Sequence, residues 1–154
     1  MGLFDGINIS ASGLTAQRLR MDVIANNIAN AESTRSVDDP ARPYQREQVI
    51  FEAVQPGTNF ASVLQNQLQA PGQGVRVAAV QKDEETPYKL VYDPKHPDAV
   101  KDPTDPMYGY VKMPNVDVTT EMVDMISASR SYEANVTAVN ASKAIAMRAL
   151  EIGK

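Results

Sequence analysis

The apolar positions of this chain follow two different rhythms. Near the N-terminus, Ile7, Leu14, Met21 and Ile28 stand seven apart, and Leu3, Ser10, Gln17, Ile24 and Ala31 fill the alternate row. This spacing places both rows on one side of an α-helix, as in a coiled-coil seam, over about four heptads. Ser10 and Gln17 are polar, so the seam is imperfect. Gly6 and Gly13 are also seven apart, and each costs about 1 kcal/mol relative to alanine in a helix interior. They mark either a frayed first turn or the close approach of a neighbouring backbone.

The C-terminal rhythm is more regular. Val118, Met125, Tyr132, Val139 and Ala146 form one row; Met122, Ser129, Val136, Lys143 and Leu150 form the other. Asp117 is placed to cap this helix, and Glu121 and Asp124 lie near the favourable positive end of its dipole. Gly153 is a natural stop. Lys143 either extends to solvent or sets helix register, and Tyr132 is read as packing. Lengths of about 45 Å and about 50 Å follow for the two helices.

The middle alternates with period two. "QVIFEA" (48–53), "VRVAAV" (75–80), "YKLVY" (88–92) and "YGYVKM" (108–113) read as short strands between proline and glycine turns. All ten prolines lie between Pro40 and Pro114, so both ends are free to be helical and the middle is not. In the glutamine-rich stretch between the first two strands, Phe60, Val63, Leu64 and Leu68 form one face of a short helix, or the segment is a loop. The expected fold class is α+β: long terminal helices paired as an antiparallel coiled coil, with a small β-rich middle domain. The expected segments are a helix at 1–32, a linker at 33–43, the middle domain at 44–114 and a helix at 115–154.

Both helices carry apolar residues away from their seams: Ile9, Leu19 and Val23 on the first, Val123, Ile126, Ile145 and Met147 on the second. A two-helix hairpin exposes them. A helix apolar around much of its girth is buried from several sides, and one chain supplies only two such helices, so the missing neighbours are expected to be other chains.

Composition narrows the chemistry. A formal net charge of −4 argues against nucleic acid as a partner, because binding phosphates needs a basic surface. The chain has no cysteine, which removes disulfides, thiolate metal sites and cysteine nucleophiles. No apolar run reaches the length of a membrane span. The first basic residue is Arg18, so a cleaved signal peptide is not expected, and Gly6 stands where a myristoylation signal needs serine or threonine. The single histidine, His96, sits in "YDPKHPDAVKDPTDP" among Asp93, Asp98, Asp102 and Asp105. Without a defined ligand spacing, this reads as a proline-stiffened acidic loop rather than a metal site. The known nucleotide-binding, serine-hydrolase and zinc-protease motifs are absent. No enzyme activity, cofactor or metal is expected.

"DVIANNIANAES" (22–33) packs three asparagines into five positions, although asparagine competes for backbone groups and is a mediocre helix former. Asn26, Asn27 and Asn30 all fall off the apolar seam. They form either a solvated face near a helix end or a polar docking surface, since an amide both donates and accepts. Arg130, Glu133 and Asn135 are assigned to polar docking on the second helix.

At this point the residues match a family. "SGLTAQRLRMDVIANNIANAES" (12–33) resembles the N-terminal motif of bacterial flagellar axial proteins of the rod, hook and hook-associated groups. "GYVKMPNVDVTTEMVDMISASRSYEANVTAVNASKAIAMRAL" (109–150), "YDPKHPDA" (92–99) and "PYQREQVIFEA" (43–53) are similar to segments of proximal-rod members. Segments 33–42, 55–73 and 100–107 look extended beyond the family pattern. The resemblance implies a structural subunit of the basal-body rod. It also implies passage through the flagellar type III export apparatus without a cleaved signal, and a location in the periplasmic part of the rod. Its partners would be further copies of itself and other flagellar rod proteins, joined through the terminal helices. The seam residues Leu3, Ile7, Leu14, Met21, Ile24, Ile28, Val118, Met122, Met125, Tyr132, Val136, Val139 and Leu150 are the expected assembly contacts. Another flagellar axial protein, or a non-catalytic coiled-coil adaptor, is the alternative.

Overall fold

The computed structural model describes residues 3–36, 42–54 and 74–152. The short helix weighed for Phe60 to Leu68 and the stop at Gly153 lie outside the described residues, as do residues 37–41 of the extended segment 33–42 and the whole of segment 55–73. The order is α1 (Leu3–Ala29), β1 (Glu47–Ala53), β2 (Val75–Lys82), β3 (Lys89–Tyr92), β4 (Tyr110–Met113) and α2 (Val118–Ile152). The fold is α+β, with the two proline-free ends forming helices that pack on one another and two small sheets between them in sequence.

Residues divide into two compact units. One contains residues 1–21, 49–80 and 126–154; the other contains 22–48 and 81–125. Both helices therefore contribute to each unit.

In the first unit, Gly6 lies against Ser142 and Gly13 against Asn135. Position rises by seven on one helix as it falls by seven on the other, which is an antiparallel heptad register. A Cβ on Gly13 would stand 3.0 Å from the Asn135 side-chain nitrogen. Of the two readings of the glycines, close approach therefore describes Gly13, and what approaches is a side chain. Gly74 has φ +102° and a Cβ there would collide with Ser12 Oγ. Ser12 Oγ donates to the Ile9 carbonyl at 2.6 Å and accepts from the Val75 amide at 3.1 Å, pinning the start of β2 to α1. Arg76 pairs with Glu52 across the β1–β2 sheet at 2.8 Å.

In the second unit, β3 and β4 pair antiparallel from Lys89↔Met113 to Tyr92↔Tyr110. Val111 is buried there. The Tyr92 and Tyr110 rings meet edge to face at 5.2 Å, a favoured aromatic geometry. The acidic loop between these strands is built from side-chain turns. Asp93, Asp102 and Asp105 accept from the amides of Lys95, Thr104 and Met107, which is the local role that short carboxylates play in turns. Asp98 accepts from Thr34 at 2.8 Å and from Arg35, and these hydrogen bonds hold its carboxyl below the usual carboxylate range. His96 Nδ1 accepts from the Asp98 amide. Among the described residues, no three histidine or acidic side chains converge to hold a metal ion.

The cap of α2 is explicit. Asp117 Oδ1 accepts from the Thr119 amide at 2.9 Å, satisfying an amide that the first turn leaves orphaned, and the Asp117 carbonyl accepts the first intrahelical bond from the Glu121 amide. Among the described residues, Pro43 and Pro114 are buried, and the buried aliphatic side chains are Ala16, Val23, Ile24, Ala99, Val111 and Ala128. Three of these are alanines, so the apolar core within one chain is thin.

Candidate functional site

The last turns of α1, the entry to β1 and the first turn of α2 meet in the second unit around one amide. Asn27 is 1% exposed. Its Nδ2 donates to the Glu47 carbonyl at 2.8 Å and to Glu121 Oε2 at 3.0 Å. Its Oδ1 accepts from the Glu47 amide and from the Tyr44 hydroxyl, both at 2.9 Å. A primary amide has two donor hydrogens and two acceptor lone pairs, so Asn27 is saturated. Toward Glu47 it behaves like a strand neighbour, pairing with both the N–H and the C=O.

Glu121 is 0% exposed. Its second oxygen accepts from Arg46 Nε at 2.5 Å, and Arg46 Nη2 reaches Asp124 at 3.4 Å. Burying a carboxylate is costly unless it is paired and hydrogen-bonded, and Arg46 and Asn27 together meet that condition. The Arg46 backbone is fixed in turn: its amide donates to Asn115 Oδ1, and its carbonyl accepts from the Asp83 amide. Asn115 Nδ2 donates to the carbonyls of Asp83 and Thr86. The Tyr44 hydroxyl also accepts from Asn26 at 3.3 Å. Burial, with the charges of Glu47 and Glu121, pushes the Tyr44 pKa up to about 12. Asn30 turns back along its own helix: Nδ2 donates to Asn26 at 3.0 Å, and Oδ1 accepts from Ser33.

Exposed apolar side chains occur in each unit separately. In the second unit, Val123 is 63% exposed, with Val118 and Met122 also exposed. In the first unit, Ile126 is 61% and Leu150 76% exposed, with Ile145 and Met147 close behind. Their own chain leaves these groups in solvent. Burying each fully is worth about 1.5–3 kcal/mol.

Comparison with known proteins follows the same lines. Residues 7–35 match the family described as "Flagella basal body rod protein", and residues 107–152 match "Flagellar basal body rod FlgEFG protein C-terminal". The flagellar basal-body rod protein FlgC of Borreliella burgdorferi is 49% identical over 157 residues, covering 99% of this chain and 98% of its own. That of Bacillus subtilis is 46% identical over 159 residues, with both chains fully covered. That of Salmonella typhimurium is 41% identical over 155 residues, again with full coverage. The chain belongs to the FlgC family of flagellar basal-body rod proteins. It is accordingly a structural, non-enzymatic component of the flagellar basal body that assembles with other rod components.

Within this FlgC-family chain, the sequence-selected residues fall into distinct groups. On α1, Ile24 is buried and Ile7, Leu14, Met21 and Ile28 are half-buried; the Leu3 side chain lies outside the described residues. On α2, Met125, Tyr132, Val136 and Val139 are half-buried, whereas Val118, Met122 and Leu150 are exposed. The helices touch along a neighbouring row that includes Gly13 and Asn27 on α1, and Glu121 and Asn135 on α2. Val23, expected to lie open to another chain, is buried within this one, whereas Leu19 is exposed. The buried residues of α1 are Gly13, Ala16, Val23, Ile24 and Asn27, so Val23 lies on the face that the helix turns inward.

Of the polar set, Asn27 is buried, Asn26 is exposed and Asn30 is half-buried. Arg130 pairs with Glu133 at 3.2 Å on the exposed surface, and Asn135 donates to the Ser131 carbonyl at 2.9 Å. Sequence reasoning did not find Tyr44, Arg46 or Asn115, and took Glu121 only as a dipole partner. The available signal was the heptad spacing itself: Gly6, Gly13 and Asn27 share one helical row, as do Glu121, Ala128, Asn135 and Ser142.

Proposed function

We propose that this chain builds the proximal part of the rod by polymerising through its terminal helices with further copies of itself and with other rod proteins. The helices at 1–32 and 115–154 serve as the axial segments, and residues 44–114 as the outer domain. The chain reaches the periplasmic part of the rod through the flagellar type III export apparatus, without a cleaved signal. One observation carries this reading: α2 presents large apolar side chains that its own chain leaves in solvent, which is the surface a heterologous, head-to-tail contact buries. The half-buried rows Ile7, Leu14, Met21, Ile28 and Met125, Tyr132, Val136, Val139 supply further contacts. Asn26 and Asn30 line a cleft of about 440 Å³ with Arg35, Arg42, Tyr44 and Tyr88, a polar counterpart for a neighbouring subunit.

The test is Ile126→Asp in cells, read by motility and by recovery of rods. Loss of both is expected, because a charge cannot be buried unpaired in a subunit contact. Normal motility would overturn the proposal.

A further inference from the structure

The rows that bring the helices together are poor at choosing a register. In the first unit, Gly6 and Gly13 meet Ser142 and Asn135. Continuing by heptads, Arg20 falls opposite Ala128 and Asn27 opposite Glu121, which is the contact observed. A slide of one heptad would set Gly13 against Ala128 and Gly6 against Asn135, again small residues facing small or polar ones. It would also bring Arg20 opposite Glu121, an attractive ion pair. Neither sterics nor surface charge therefore rejects the slipped pairing.

The polar junction does reject it. The slide takes Glu121 away from Asn27 and leaves Asn27 Nδ2 buried with one bond fewer. It also separates the Glu121 carboxylate from Arg46, which β1 holds in place through Asn115 and Asp83. Breaking a buried charge pair is among the costliest single changes in a fold, and a polar group at one layer is a well-attested way to fix register in a helix pair.

We propose that Asn27, Glu121 and Arg46 form a register lock for the terminal helix pair, read against the entry of β1. The three parts close together. Asn27 occupies two of its four bonds on Glu47 of β1 and one on Glu121 of α2, so α2 in the wrong register also leaves the middle segment wrongly seated. The lock deepens the rod reading, since a slipped helix pair would display the α2 face one heptad out of place. It concerns pairing inside one chain, so it is tested apart from assembly.

The chain has no cysteine, which makes engineered cross-links clean reporters. The full-length chain carrying Gly13→Cys with Asn135→Cys reports the native register. Gly13→Cys with Ala128→Cys, or with Ser142→Cys, each also carrying Asn135→Ser to leave room for the new side chain at position 13, reports a one-heptad slip in either direction. Each is oxidised in solution and the intrachain disulfide is quantified by mass spectrometry, with circular dichroism recording helix content. The native pair alone is expected to close. Adding Asn27→Leu and Glu121→Leu is expected to make a slipped pair close to a comparable extent. A helical double variant that still closes only the native pair overturns the lock, as does a parent chain in which neither register closes. If the double variant loses its helix signal, Glu121→Gln takes its place: it keeps the volume and the acceptor for Asn27 but removes the charge that Arg46 meets. A slipped fraction is then expected, and exclusive native closure counts against the lock. Ile126→Asp should leave all of these cross-links at their parental values, so failure of assembly and failure of the lock give different results.

Discussion

At Asn27 and Glu121, two polar side chains are buried and bonded at every available atom, whereas at Val123 and Ile126, on the same helix as Glu121, two apolar side chains stand mostly in solvent. An ordinary domain does the opposite, with apolar groups inside and polar groups facing water. Here polar groups hold a contact within the chain, and the exposed apolar groups are the ones proposed above for contact with other chains. The difference teaches where each kind of interaction is useful. Hydrogen bonds and ion pairs are geometrically selective and set a unique arrangement. Apolar burial is non-directional and scales with area, which suits contacts that accumulate over many subunits.

The contrast can be broken at the polar end first. Glu121→Ala leaves Arg46 and Asn27 facing an empty site, and about 3–5 kcal/mol of folding stability should be lost, measured by urea unfolding of the full-length chain. An unchanged midpoint would mean that the junction is ornamental. Asn27→Ala should cost about 1–3 kcal/mol for the polar groups it strands. Asn30→Ala, whose bonds are local to its helix end, should stay within about 0.5 kcal/mol. Equal effects at the two positions would contradict the distinction between them.

Tyr44→Phe should cost about 1 kcal/mol near neutral pH and should also change the alkaline limb. The Tyr44 pKa is raised to about 12 in the folded chain, against an ordinary value of about 10. Above pH ~10 the unfolded chain releases this proton while the folded chain keeps it, so stability falls as pH rises from about 10 to about 12. Unfolding curves across that window should be flatter for Tyr44→Phe than for the parent. At the apolar end, Ile126→Asp should move the unfolding midpoint of the isolated chain least of all, by no more than about 0.5 kcal/mol, while abolishing rod assembly. A large loss of stability would place Ile126 in the chain's own core.

The helices and strands were legible because their signals are local. The confinement of proline to the middle marked where helices cannot run, and α1 and α2 fill the proline-free ends. "QVIFEA" and "VRVAAV" alternate with the period of a strand, and β1 and β2 form there. The junction was not legible, because no local rule joins Asn27 to Glu121 or Arg46. An asparagine near a helix end has the same sequence signature whether it is solvated or buried. The contact row was obscured for a related reason. A search for large apolar residues finds Ile7, Leu14, Met21 and Ile28, which are half-buried, whereas the small residues Gly13, Ala16 and Ala128 are buried. Surplus apolar residues on α2 did announce themselves, because more of them occur than one partner helix can cover.

The approach of Gly13 to the Asn135 side chain carries a consequence for inheritance. A methyl group at position 13 would sit 3.0 Å from the amide nitrogen at position 135, tighter than ordinary packing allows. Change at position 13 is therefore conditional on position 135: alanine at 13 requires the Asn135 side chain to give way, or 135 to shorten to serine or alanine. Two codons far apart in the sequence are thus coupled.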